Sequence, residues 1–152
     1  MNPRPAPPGG LVADRALTAG LAAFALYHLA LAVFMAVAPH AFYKAVGPFD
    51  AYNSHYIRDT ATFNAALAVG FAIAVRRDSW RVPVLAVTTL QFALHSINHL
   101  VDIDAAHPAW KGYFDFAALA ASTFLVAGLL WLAVADARAG AGEQPTSTGG
   151  DT

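Results

Sequence analysis

The feature that most restricts how this chain can fold is a row of polar side chains inside an otherwise apolar run. Leu90–Asp104 reads LQFALHSINHLVDID and carries Gln91, His95, Asn98, His99 and Asp102. At about 100° per residue these five fall within an arc of roughly 100° on one helix face. Leu90, Leu94, Ile97 and Val101 take the other side. Lipid cannot satisfy such a stripe, so in a bilayer it must face protein or water. The rest of the chain is expected to bundle against it.

Composition places that bundle in a membrane. The 152 residues are 57% hydrophobic and only 12% charged, with a mean hydropathy of +0.47. That is more apolar than an ordinary soluble domain, and the length suits one domain. A net charge of −1 offers no basic surface for nucleic acid. With no cysteine, disulfides, thiolate metal sites and thiol catalysis are excluded.

Four apolar helices are predicted, at about residues 16–38, 57–75, 82–101 and 113–135. The expected architecture is an all-α bundle of four transmembrane helices over residues 14–138. It lies between disordered tails at 1–13, rich in Pro and Gly, and 139–152, rich in Gly, Ser and Thr. Asp14 is the expected N-cap of the first helix, and Asn53 or Ser54 that of the second. Ala36-Val37-Ala38 has the form of a signal-peptide cleavage site. The run before it is longer than a usual signal core and Pro39 follows directly, so the first helix is expected to be retained. Pro39–Ser54 carries Phe42, Tyr43, Phe49 and Tyr52 and is expected to rest at the membrane interface, capping the bundle.

Basic residues orient the bundle. Arg4, Arg15, Arg76, Arg77, Arg81 and Arg138 fall on one side, and Lys44, Arg58 and Lys111 on the other. The excess on the first side predicts that both termini are cytoplasmic, in a multi-pass protein of the plasma membrane whose first partner is the lipid bilayer. Four short helices without an internal repeat would need a homo-oligomer or a membrane-complex partner to transport anything.

The second and third helices are joined by a short turn and are expected to pack antiparallel. This sets Asp59 level with His99, His55 with Asp102, and Thr62 with His95. The resulting expectation is a polar pocket near the outer leaflet built from His55, Arg58, Asp59, Thr62, Gln91, His95, Asn98, His99 and Asp102. Three roles stay open: a hydrogen-bonded network that locks the helix ends, a pocket for a small ligand or proton, or a metal site. The i, i+4 spacing of His95 and His99 lets two imidazoles grip one divalent metal, with Asp59 as a third ligand. That reading implies a metal-dependent membrane oxidoreductase or redox-associated subunit. Ser96 stands where the HExxH signature would place Glu, so the pair is not a zincin site. His28 lies roughly five residues, or about 7 Å, deeper than His95, which argues against a bis-His haem. It is expected inside the bundle, bonded to one partner.

Chain length, four closely spaced spans and the HYIRD start of the second helix (His55–Asp59) resemble the small four-helix bacterial membrane proteins of the DoxX-like superfamily. Arg81–Ile103 is similar to actinobacterial-type membrane proteins with an RVPVLA…LHSINHLVDI segment. The resemblance implies a four-helix fold. Some DoxX-like proteins are respiratory or redox-associated subunits, and this chain departs from a thiol-based version of that role in having no cysteine motif.

Overall fold

A computed structural model of the chain describes residues 8–49 and 51–142, and what it describes is almost wholly helical. The helices are α1 (Pro8–Val37), α2 (Pro39–Ala45), α3 (Ser54–Arg76), α4 (Arg81–Val101) and α5 (Trp110–Gly142), with a 3-10 turn at Asp78–Trp80 leading into α4. Local chemistry explains most boundaries. Asn53 caps α3 by accepting hydrogen bonds from the His55 and Tyr56 amides at 3.0 and 3.4 Å. Pro39 opens α2 in its first turn, where a missing N–H costs nothing. Gly112 lets α5 begin close to the end of α4, because a Cβ there would collide with the Ile103 carbonyl.

Two ends differ from the sequence expectation. Asp14 is not an N-cap, since α1 already starts at Pro8. Likewise α5 continues to Gly142, past the expected end near 135. The outer parts of the expected tails, residues 1–7 and 143–152, lie outside the described residues.

Three helical stretches are long and apolar enough to cross a membrane: Val12–Val37, Asp78–Val101 and Trp110–Gly140. The second helix of the expected four, α3, is not among them, because its first turns carry His55, Arg58, Asp59 and Thr60. Apolar side chains nevertheless point outward all round. Leu26, Leu29 and Val33 on α1, Val69 on α3, Leu90, Leu94 and Ile97 on α4, and Phe124 and Trp131 on α5 are all at least half exposed. Such a surface suits acyl chains rather than water.

The helices form two tight pairs, α1 with α3 and α4 with α5, while α3 and α4 touch sparsely. This corrects the expectation that α3 and α4, adjacent in sequence, share their polar faces. At the end near the 3-10 turn the pairs close on a dense core containing Leu17, Leu21, Phe71, Leu85 and Val126. A Cβ at Gly20 would sit 2.8 Å from the Leu129 methyl carbons, so glycine lets α1 and α5 approach there. Arg81 is buried at the same end, with carboxylates at 2.9 Å (Asp14), 3.0 Å (Asp78) and 3.6 Å (Asp136). The residue that reads in sequence as part of a basic turn therefore ties α1, the 3-10 turn and α5 to α4.

Candidate functional site

Away from the Arg81 end the two helix pairs leave a cavity of about 620 Å³. Its walls come from the second half of α1, the first halves of α3 and α5, the last turns of α4, and α2 with the segment after it. Most of the lining is apolar, including Leu31, Met35, Phe42, Phe63 and Phe114. Into this lining are set His28, Asn64, Gln91, His95, His99, Asp115 and Ser122. Size and mixture are those of a small-molecule pocket: an apolar body with a few polar groups that fix orientation.

The α2–α3 segment helps close the cavity. Phe49 lines it and meets the His99 ring edge-on, with centroids 4.8 Å apart. Phe49 also makes an antiparallel bridge with Ala106, and the His107 amide donates to the Pro48 carbonyl at 3.4 Å. The aromatic loop expected at the interface thus carries a helix of its own and joins the α4–α5 loop beside the cavity.

His28 is 1% exposed and sits between the Phe71 and Phe92 rings, with centroids at 5.6 and 5.8 Å. Its Nδ1 lies 2.8 Å from Asn64 Oδ1. The Asn64 amide is oriented by its nitrogen, which donates to the Thr60 carbonyl at 3.0 Å. Asn64 Oδ1 is therefore an acceptor, and His28 Nδ1 carries the hydrogen. In the neutral ring Nε2 is then an acceptor. His28 is inside the bundle with one hydrogen-bonding partner, as the sequence predicts. Its contact with Phe92 places it about one turn deeper than His95.

On α4, the His95 and His99 rings are perpendicular neighbours at 4.7 Å. Asp115 is held from within α5 by Lys111, Nζ to Oδ1 3.4 Å, and both side chains are nearly buried.

Several polar atoms around the cavity have no hydrogen-bonding partner. Among the described residues the buried unpartnered side-chain atoms include His28 Nε2, Gln91 Oε1, His99 Nδ1 and Asp115 Oδ2, and all four side chains line this cavity. Each such atom typically costs about 1–3 kcal/mol, so proteins rarely gather them without a use.

Of the nine residues expected in the pocket, Gln91, His95 and His99 line the cavity, and the other six do not. His55 and Asp59 pair with each other at 3.4 Å, with side chains 79% and 62% exposed. Arg58, Thr62, Asn98 and Asp102 are also exposed. The cause is helix rotation. Helix α4 buries Leu85, Thr88, Phe92 and Ser96, a face turned from the polar stripe, so His99 at one edge points inward and Asn98 at the other points out. Helix α3 is rotated by its packing on α1, which buries Ala61, Asn64 and Leu67. The expected metal ligands do not come together: Asp59 pairs with His55 instead of joining His95 and His99, and among the described residues no group of three or more His, Cys, Asp or Glu is placed to hold a metal ion.

His28, Asn64, Asp115 and Ser122 belong to the cavity although the expected pocket omitted them. A signal existed for the last three. Asn64 interrupts the apolar half of its helix, and Asp115 and Ser122 stand seven residues apart on one helix face.

No family model, no curated protein and no solved structure matches the chain.

Proposed function

We infer that this is an integral membrane protein whose cavity binds a small molecule with an apolar body and a polar head. The carrying observation is the gathering of buried, unpartnered polar atoms on His28, Gln91, His99 and Asp115 around one largely apolar cavity of about 620 Å³. A network that served only to lock the helices would use these atoms on each other. In this reading α3 crosses the bilayer with the three more apolar helices, since it packs along α1 and carries its own outward apolar face. That gives the four-span, DoxX-like architecture. Both termini are then cytoplasmic, as Arg76, Arg77 and Arg81 favour, and the cavity opens toward the outer leaflet.

Native mass spectrometry of protein released gently from membranes tests the binding. A bound small molecule should survive on the wild type and be lost when Ser122→Phe fills the cavity. Equal adducts on both would sink the proposal. The absence of cysteine makes orientation equally direct to test: Ser79→Cys should be shielded from an impermeant thiol reagent in intact cells, and Ala109→Cys should be labelled.

A further inference from the structure

We propose that the cavity selects a ligand whose polar head is a hydrogen-bond donor, a hydroxyl or an amine, carried on an apolar and preferably aromatic body. The inference rests on the cavity being a binding site and adds the chemical class of the ligand. It follows from the sign of the unpartnered groups. Gln91 Oε1 and Asp115 Oδ2 are acceptors by chemistry. His28 Nε2 is an acceptor through its neighbours: the Asn64 amide nitrogen is committed to the Thr60 carbonyl, so Asn64 Oδ1 takes the hydrogen of His28 Nδ1. These three atoms come from α1, α4 and α5, so three different helices contribute acceptors to the cavity lining. His99 Nδ1 serves as donor or acceptor according to its tautomer.

An anionic head would be repelled by the Asp115 carboxylate and would find acceptors, not donors, on His28 and Gln91. The nearby Lys111 ammonium is already set on Asp115 Oδ1 at 3.4 Å. A ketone or ether would leave the same acceptors unsatisfied. A hydroxyl or ammonium group supplies the missing hydrogens. The aromatic walls from Phe42, Phe49, Phe63 and Phe114 accept an apolar ring, and they also suit a cation against a ring face.

The test uses the full chain in detergent and four fluorescent probes of one shape: 2-naphthol, 2-(aminomethyl)naphthalene, 2-methoxynaphthalene and naphthalene-2-carboxylate. Binding is read by fluorescence titration and by the shift in thermal unfolding, with Ser122→Phe as the background for detergent partitioning. The hydroxyl or the amine probe, or both, should bind at least about tenfold more tightly than the methoxy probe, the ratio expected for one satisfied buried hydrogen bond. Gln91→Met, which keeps the volume and removes an acceptor, should shrink that ratio several-fold. The relative affinities of the first two probes separate an alcohol from an amine as the natural class. Equal affinity for the methoxy probe, or tightest binding of the carboxylate, would overturn the donor assignment while leaving the cavity as a binding site. If no probe binds the wild type above the Ser122→Phe background, the donor assignment falls and the binding-site reading loses its support with it.

Discussion

At one end of the bundle, a nearly buried guanidinium meets carboxylates from three other parts of the chain, Asp14, Asp78 and Asp136. At the other end, His28, Gln91, His99 and Asp115 each keep a buried polar atom without a partner. Both ends place ionisable groups where they are expensive, but the Arg81 guanidinium meets carboxylates through both terminal nitrogens and leaves Nε alone without a partner. The surroundings match. The Arg81 end is packed with Leu17, Leu21, Phe71 and Leu85, whereas the His99 end holds a cavity of about 620 Å³. Satisfied polarity in dense packing holds the helices together. Unsatisfied polarity beside a void is what the proposed ligand would complete.

Substitutions of partnered and of unpartnered groups should therefore act with opposite sign on stability. The largest effect is expected from Arg81→Met. It removes the common partner of three carboxylates that are half to four-fifths exposed and can hydrate once released. A buried pair broken on one side costs about 3–5 kcal/mol, and the exposure of the partners reduces this to about 2–3 kcal/mol. Thermal unfolding in detergent should show the loss. Asp14→Asn should do much less, because Arg81 keeps Asp78 and Asp136. A melting point unchanged by Arg81→Met would break the contrast at its structural end.

Next comes a satisfied polar pair at the cavity, His28 with Asn64. Asn64→Leu takes the acceptor from His28 Nδ1 and leaves the ring without a partner at either nitrogen. A loss of about 1–3 kcal/mol is expected. His28→Leu in the same background should restore part of it, so the double-mutant cycle should show coupling of about 1 kcal/mol. Additive losses would mean that the 2.8 Å contact does not organise the site.

A gain, not a loss, is expected from Gln91→Leu. It deletes a buried oxygen that has no partner and adds apolar surface to a cavity wall. The ligand-free protein should unfold about 1 kcal/mol later, with retention of the co-purified small molecule reduced. Destabilisation of the ligand-free protein would show that Gln91 already has a structural role, like Arg81.

Much of the fold was legible in the sequence because it depends on local chemistry. Apolar runs mark the helices, the Asn53 side chain caps α3, and the isolated His28 is held inside by one partner. The site was legible only in part because it depends on which helices pair and how each is rotated. Sequence adjacency suggested that α3 and α4 would share polar faces, but α3 packs against α1 instead, with Ala61, Asn64 and Leu67 among its buried residues. That rotation turns Asp59 outward and Asn64 inward. On α4, an offset of less than a quarter-turn between the polar stripe and the buried face divides His99 from Asn98. Arg81 was equally hidden: nothing local to RDSWR shows that Asp14 and Asp136, distant in sequence, converge on it.

The smallest effect should come from the pair that the sequence placed at the centre of the site. His55 and Asp59 form an i, i+4 contact at 3.4 Å with both side chains largely exposed, a setting in which ion pairs add little. Asp59→Asn should leave the melting point and ligand retention unchanged within error. His99→Ala should weaken ligand retention, because His99 lines the cavity and packs against Phe49. Since Asp59 lines no part of the cavity, the two substitutions should combine additively, within about 0.3–0.5 kcal/mol in stability. A coupling clearly above that range would mean that α3 turns Asp59 toward His99 in the membrane, and the division between a satisfied end and an unsatisfied one would then have to be redrawn around a shared α3–α4 face.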